Sequence, residues 1–223
     1  MTAIAIADIP TLSWTAYASA IGQVPKNYLK DRLAVLDGAR ALLQKVESFS
    51  QLDDSERKSL GGFVGRSRLP GASVPEPWQL FGSMKGAGCF KNRINDNDPE
   101  IATALDQLPH EGPVTATHYA RYITHFTNAF DGMAKSAGLS TASRLLAMKR
   151  PDYFVCVTRK NRPRLAEIAG LGTGGLTIAT YWTRLIEPIT TTPWWQSPRP
   201  ATDDAVPLWN GRTALLDVLC HIE

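Results

Sequence analysis

The stretch GLSTASRLLAMKRPDYFVCVTRKNRPRLAEIAG, residues 138–170, decides the fold. Gly138 breaks the helical pattern before it, Ser140 or Thr141 can cap a new helix running through Met148, and Pro151 stops that helix because it has no amide to extend the ladder. Residues 130–149 therefore read as helix, tight turn, helix. The short apolar run Tyr153-Phe154-Val155-Cys156-Val157 follows as an extended segment. A further helix is predicted around 162–170, before a turn rich in glycine at Gly170, Gly172, Gly174 and Gly175.

Charge gathers in the same place. Between Lys149 and Arg164 stand six cations (Lys149, Arg150, Arg159, Lys160, Arg162, Arg164) against the single acid Asp152. The strip is thus +5, and the chain's net +3 leaves −2 for everything else. A solvated charged face is one reading, but this density exceeds what solubility asks, so contact with a phosphate backbone is expected. The free amides of the helix start at Ser140 and Thr141 would hold one DNA phosphate. The extended run would then return Arg159, Lys160 and Arg162 to the surface that carries Lys149 and Arg150.

Working outward, the composition is that of a globular chain, with 43% hydrophobic and 20% charged residues among 223. This length fits a single helical domain over 1–223, able to form two lobes at about 1–110 and 111–223 with an active cleft between them. The N-terminus has no basic leader and is interrupted by Asp8 and Pro10, and no run approaches the ~18 apolar residues of a membrane span. A cytoplasmic protein with no membrane contact and no obligate protein partner is expected. Cys89, Cys156 and Cys220 are far apart with no C-x-x-C pair, and His110, His118, His125 and His221 lack partners at ligand spacing. No metal, cofactor or disulfide framework is predicted.

Most other long segments carry helical periodicity. Leu29, Leu33, Leu36 and Leu43, with Leu42 and Val46, stripe one face of residues 26–48, and Asp53 with Glu56 forms a capping box for the next helix. Asp98-Pro99-Glu100 opens a short helix ended by Pro109. A helix from Thr115 or Thr117 places Tyr119, Tyr122, Ile123, Phe126, Phe130 and Met133 on one face, the expected centre of the core. Ile178, Trp182, Leu185, Ile186 and Ile189 mark another helix, and Leu215, Val218, Leu219 and Ile222 mark the closing one over 209–222. Residues 67–97, with Pro70, Pro75, Pro77 and several glycines, read as a long irregular segment, which in a small domain usually has a task. The fold class is mainly α, with seven to nine helices.

The order of these parts resembles the helix-hairpin-helix DNA glycosylases, the superfamily that contains endonuclease III, the adenine glycosylase and the 8-oxoguanine glycosylase. The likeness rests on Thr141-Ala142-Ser143-Arg144-Leu145-Leu146-Ala147-Met148, on Arg150-Pro151, and on Phe154 to Arg162, with Trp209 to Asp217 similar to the family's last helix. It implies a helical bundle of two lobes and a duplex from which one nucleotide is extruded. A looser likeness connects it with bacterial anti-phage glycosylases that excise modified cytosines. The family keeps its catalytic Asp where this chain has Thr158, and no Lys occupies the Schiff-base position, which implies a monofunctional enzyme leaving abasic sites. The four cysteines that hold the iron-sulfur cluster of endonuclease III are missing.

With Thr158 in that place, the nearest acid, Asp152, is the expected catalytic carboxylate; its other reading is a pair with Arg150 or a turn cap. Trp78, Phe81, Trp194 and Trp195 are candidates for stacking on an extruded base, with core packing the competing role for the two adjacent tryptophans. Met84 and Lys85, in the Gly-rich segment Phe81 to Gly88, complete the expected base pocket, although that segment also reads as a structural turn. A DNA-binding module without catalysis and a PD-(D/E)xK-like nuclease are the alternatives; the second lacks the paired acids that seat Mg²⁺.

Overall fold

The caps read from the sequence at Asp53, Asp98 and Thr115 operate where they stand. Asp53 accepts from the Glu56 amide while the Glu56 carboxylate accepts from the Asp53 amide, opening helix Asp54–Leu60; Asp98 caps Pro99–Asp106 by accepting from the Glu100 and Ile101 amides. Thr115 opens Ala116–Asn128 through a reciprocal bond with His118. The structure, a computed structural model, describes residues 5–64, 77–133 and 138–220. The residues just before Gly138, Pro70 and Pro75 of the irregular stretch, and His221 and Ile222 lie outside them.

The longer helices are α1 (Trp14–Gly22), α2 (Lys26–Gln44), α3 (Asp54–Leu60), α4 (Gly88–Asn95), α5 (Pro99–Asp106), α6 (Ala116–Asn128), α7 (Leu139–Lys149) and α8 (Arg162–Ile168). Ile178–Thr180, the π-helical Tyr181–Ile186 and Glu187–Thr190 then run end to end, followed by the short helices Pro193–Gln196, Val206–Asn210 and Leu216–Leu219. The described residues contain no strand, so the chain is mainly α. None of their helices is long and apolar enough to cross a membrane.

Buried apolar side chains from Ile9 to Cys220 form one cluster that draws on both halves of the chain. Tyr122 and Phe126 sit fully buried within it, as the aromatic face of α6 predicts, with Phe126 stacked on Tyr122 at 5.6 Å and tilted against Phe130 at 5.4 Å. The run Phe154–Val157 threads the same core without exposure. It has no neighbouring strand, and side chains take over: the Tyr181 hydroxyl accepts from the Val155 amide and donates to the Val155 carbonyl, and Ser143 Oγ accepts from the Val157 amide.

Three local expectations change. The segment 67–97 contains a full helix, α4, because Gly88–Asn95 has no proline and buries Phe90 and Ile94 four residues apart. The cap of α7 is Gly138, and Thr141 turns its hydroxyl back to the Gly138 carbonyl. The closing helix over 209–222 is broken: 211–220 are all buried, so no polar face remains. A side chain at Gly211 would stand 2.7 Å from Leu36, so the bend brings main chain directly against α2.

Candidate functional site

Two hollows flank the buried run Phe154–Val157, one at each end, and they share no lining residue. The basic strip divides between them. Lys149, Arg150 and Asp152 line the first; Ser140, Thr158, Arg159 and Lys160 line the second.

The second hollow, about 580 Å³, is built on the turn that follows the run. Asn161 is fully buried and closes this turn: its Oδ1 accepts from the Thr158 amide, its Nδ2 donates to the Cys156 carbonyl, and its own amide donates to Thr158 Oγ1. Asn161 Nδ2 also reaches Asp217 Oδ1 at 2.6 Å, and Arg32 Nη2 reaches Asp217 Oδ2 at 2.8 Å. Asp217, Arg32 and Tyr28 thus line the hollow next to Thr158. Arg32 lies 3.8 Å from the centre of the Tyr28 ring, and its Nε and Nη1 are buried with no hydrogen-bond partner. Burial pushes the Tyr28 hydroxyl up; the neighbouring Arg32 guanidinium opposes this, and Asp217 adds a smaller upward push.

The opposite wall is the loop Gly82, Ser83 and Met84. Gly82 has φ +93°, and a Cβ there would lie 2.8 Å from Thr158 Cγ2, so only glycine lets this loop close over Thr158 without strain. Cys156 anchors the loop by donating its thiol to the Phe81 carbonyl, and burial pushes that thiol up to about 12.

The first hollow, about 530 Å³, lies beside Asp152. Arg150 grips Asp152 with a two-pronged pair, Nε to Oδ1 at 2.9 Å and Nη2 to Oδ2 at 2.7 Å, and spends its remaining donors on the carbonyls of Pro109 and Gly112. The Asp152 carbonyl accepts from Trp195 Nε1 and Thr213 Oγ1, and the Pro151 carbonyl accepts from the Ala214 amide. Lys149 Nζ stands 3.0 Å from His110 Nε2. Burial lowers the Lys149 ammonium to about 8, and burial followed by the Lys149 charge lowers the His110 imidazole.

Several expected site residues therefore have other work. Asp152 is held as the partner of Arg150, the second of its two readings, and is not beside Thr158. Arg150 is buried with every donor nitrogen engaged, and Thr141 is buried as well, which leaves neither able to grip DNA in this conformation. Trp78, Phe81 and Trp194 are fully buried; Trp194 stacks on Tyr17 at 4.1 Å and donates to the Ile9 carbonyl, so these rings belong to the core and not to a base pocket. Trp195 is half-buried with its edge on Tyr153 at 5.0 Å. Arg162 is half-buried and donates to the Leu176 carbonyl. Met84 does line the second hollow, Arg159, Lys160 and Lys85 are exposed, and Ser140 is half-buried.

The residues that sequence reasoning missed are Arg32, Tyr28 and Asn161, together with the role of Asp217. A signal existed for two of them. Arg32 interrupts the apolar side of α2, and Asp217 is the lone charge in Ala214 to Cys220; a charge in an apolar stripe requires a partner. Among the described residues no three His, Cys, Asp or Glu side chains converge to hold a metal ion. No protein-family model, no curated protein and no solved structure matches the chain.

Proposed function

We propose that this protein is a monofunctional DNA glycosylase, which receives an extruded nucleotide in the hollow at Thr158 and hydrolyses its N-glycosidic bond. One observation carries this reading: Asp217 is the single carboxylate among the residues lining the hollow that also holds Ser140, Thr158, Arg159 and Lys160. The carboxylate that the family resemblance places at position 158 is thus replaced from the next layer, by a side chain that Asn161 ties to the same turn. Arg159 and Lys160, exposed at the rim, take the phosphates on either side of the extruded nucleotide, and the half-buried Tyr28 offers a ring face to its base.

The chemistry needs little else. As the bond between sugar C1′ and base nitrogen breaks, positive charge develops on the sugar, and a fixed carboxylate stabilises it. Water adds its oxygen to C1′, one of its protons goes to the departing base, and an abasic site remains. Modified cytosines in viral DNA, the substrates of the anti-phage glycosylases that the sequence resembles, are the first class to try.

A module that captures the extruded nucleotide without cleaving it is the second reading. What favours it is that both Asp217 oxygens already accept hydrogen bonds, from Arg32 and Asn161.

The test is incubation of plain DNA and of DNAs with differently modified cytosines in EDTA, with and without subsequent hot alkali. Breaks that appear only after alkali are expected; a gel shift without breaks selects the binding module, and breaks requiring Mg²⁺ select a nuclease. Asp217→Asn should lower turnover about a hundredfold or more while the gel shift persists. Unchanged turnover would remove Asp217 from the chemistry.

A further inference from the structure

The hollow beside Asp152 has no part in that reaction, yet its charges are unbalanced. Arg150 and Asp152 cancel each other, and Arg40 stands 3.8 Å from Asp37. Lys149, Arg199 and Arg212 remain, and among the described residues none of them makes an ion pair; Glu111 is the only other acid lining the hollow.

Two of these cations are buried, Lys149 at 9% and Arg212 at 4% exposure. The Arg212 guanidinium carbon lies 4.6 and 4.2 Å from the ring centres of Trp195 and Trp209; its Nη1 donates to the Trp209 carbonyl, and its Nε is buried without a hydrogen-bond partner. Lys149 Nζ meets a neutral ring nitrogen of His110. A surface lysine serves solubility, but a buried, unpaired cation is costly unless an anion joins it. The side chains are also preorganised: aromatic rings orient Arg212, and the Arg150 clamp fixes the loop that bears His110, so an arriving anion orders little.

We propose that this hollow binds the phosphate monoester of a nucleotide, with Lys149, Arg199 and Arg212 around the phosphate and Trp209 and Asn210 on the wall left for the nucleoside. A doubly charged monoester matches three unpaired cations better than a singly charged phosphodiester does. The volume, about 530 Å³, is that of a small-molecule site and larger than one phosphate requires. The same chemistry is offered by a free nucleotide and by the 5′-phosphorylated end of a DNA strand. The proposal shares no residue with the hollow at Thr158 and does not rest on the glycosylase reading.

Its pH dependence follows from the groups around Lys149, which are His110, Arg150 and Asp106. A phosphate monoester becomes doubly charged above about 6, and Lys149 loses its proton above about 8, so binding is strongest between those values.

The test is titration calorimetry on the full chain with deoxycytidine 5′-monophosphate, deoxycytidine and inorganic phosphate, and competition by a hairpin DNA with or without a 5′-phosphate. The monophosphate should bind at least about tenfold more tightly than the nucleoside, and Arg199→Gln, an exposed position that leaves the fold alone, should weaken it about tenfold. Lys91→Gln, outside both hollows, should not. Equal affinity for nucleoside and monophosphate, no binding of either DNA end or monophosphate, or an Arg199→Gln protein that binds like the parent would overturn the proposal. Inorganic phosphate binding as tightly as the monophosphate would overturn the nucleotide assignment. If only the 5′-phosphorylated hairpin competes, the site belongs to DNA ends; if neither hairpin competes while the monophosphate binds, it belongs to free nucleotides.

Discussion

Arg32 and Asp217, separated by 185 residues in sequence, meet as an ion pair of 2.8 Å whose side chains are 2% and 1% exposed. The pair joins α2 to the short helix Leu216–Leu219, and Asn161 on the other oxygen joins both to the turn at Thr158.

Breaking such a pair from one side removes the opposite charge that the remaining buried group faces. Asp217→Leu should cost about 3 to 5 kcal/mol of stability, and Arg32→Met a similar amount. The double variant should lose far less than the sum, because no charge is then left without a partner. Urea unfolding of the four proteins measures this, and strict additivity would show that the two side chains do not depend on one another.

Gly82 offers a test of how the wall of the second hollow is made. Gly82→Ala meets both a left-handed backbone and the Thr158 methyl at 2.8 Å, and should cost about 1 to 3 kcal/mol. For a chain of this size that is roughly 2 to 4 °C of Tm per kcal/mol. Adding Thr158→Ser removes the methyl but not the backbone strain, so part of the loss should return in thermal melts. Full recovery, or none, would contradict one of the two causes.

The buried ammonium of Lys149 gives a stability change with pH. Between about 8 and the ordinary 10.5, the unfolded chain holds a proton that the folded chain has released, so this group favours folding increasingly as pH rises through that window. Cys156 and Cys220 act in the opposite sense, because burial pushes both thiols up to about 12 and stability is lost as the unfolded chain ionises from about 9 upward. The difference between parent and Lys149→Met removes the thiol contribution. Relative to the parent, the variant should be most favoured near about pH 7, and its advantage should shrink toward about pH 10 in chemical denaturation. A difference that does not move with pH would refute the shift.

The three cysteines should separate by accessibility. Cys89 is half-buried, whereas Cys156 and Cys220 are buried. An aromatic disulfide reagent at about pH 8 should label one thiol promptly and the others at the rate of structural opening. Simultaneous reaction of all three would mean that the turn at Thr158 opens freely.

Much of the helical plan was legible because it is local. The capping boxes at Asp53 and Thr115, the cap at Asp98 and the aromatic side of α6 depend on residues three or four apart, and each stands where its spacing put it. The site was less legible because its parts are brought together by packing. Nothing near Asp217 in sequence names Arg32 as its partner. The expectation that the basic strip forms one surface failed for a related reason: the apolar run in its middle is buried, so Lys149 and Arg150 emerge in one hollow, and Arg159 and Lys160 in another. Trp194 carries both a core and a stacking reading in the sequence, whereas Trp78 and Phe81 read there only as stacking rings; all three are buried, and an aromatic ring that fills a core and one that stacks on a base look alike until the surroundings are known.

The threading of Phe154–Val157 without a sheet has a consequence for how this region moves. In a ladder, a backbone amide is released only when two strands part. Here the amides of Val155 and Val157 are each held by one side-chain hydroxyl, so a displacement of Tyr181 or Ser143 that admits water releases them without any strands parting. Two of the deepest positions in the molecule will therefore report small rearrangements that most buried amides, which wait for larger openings, never register.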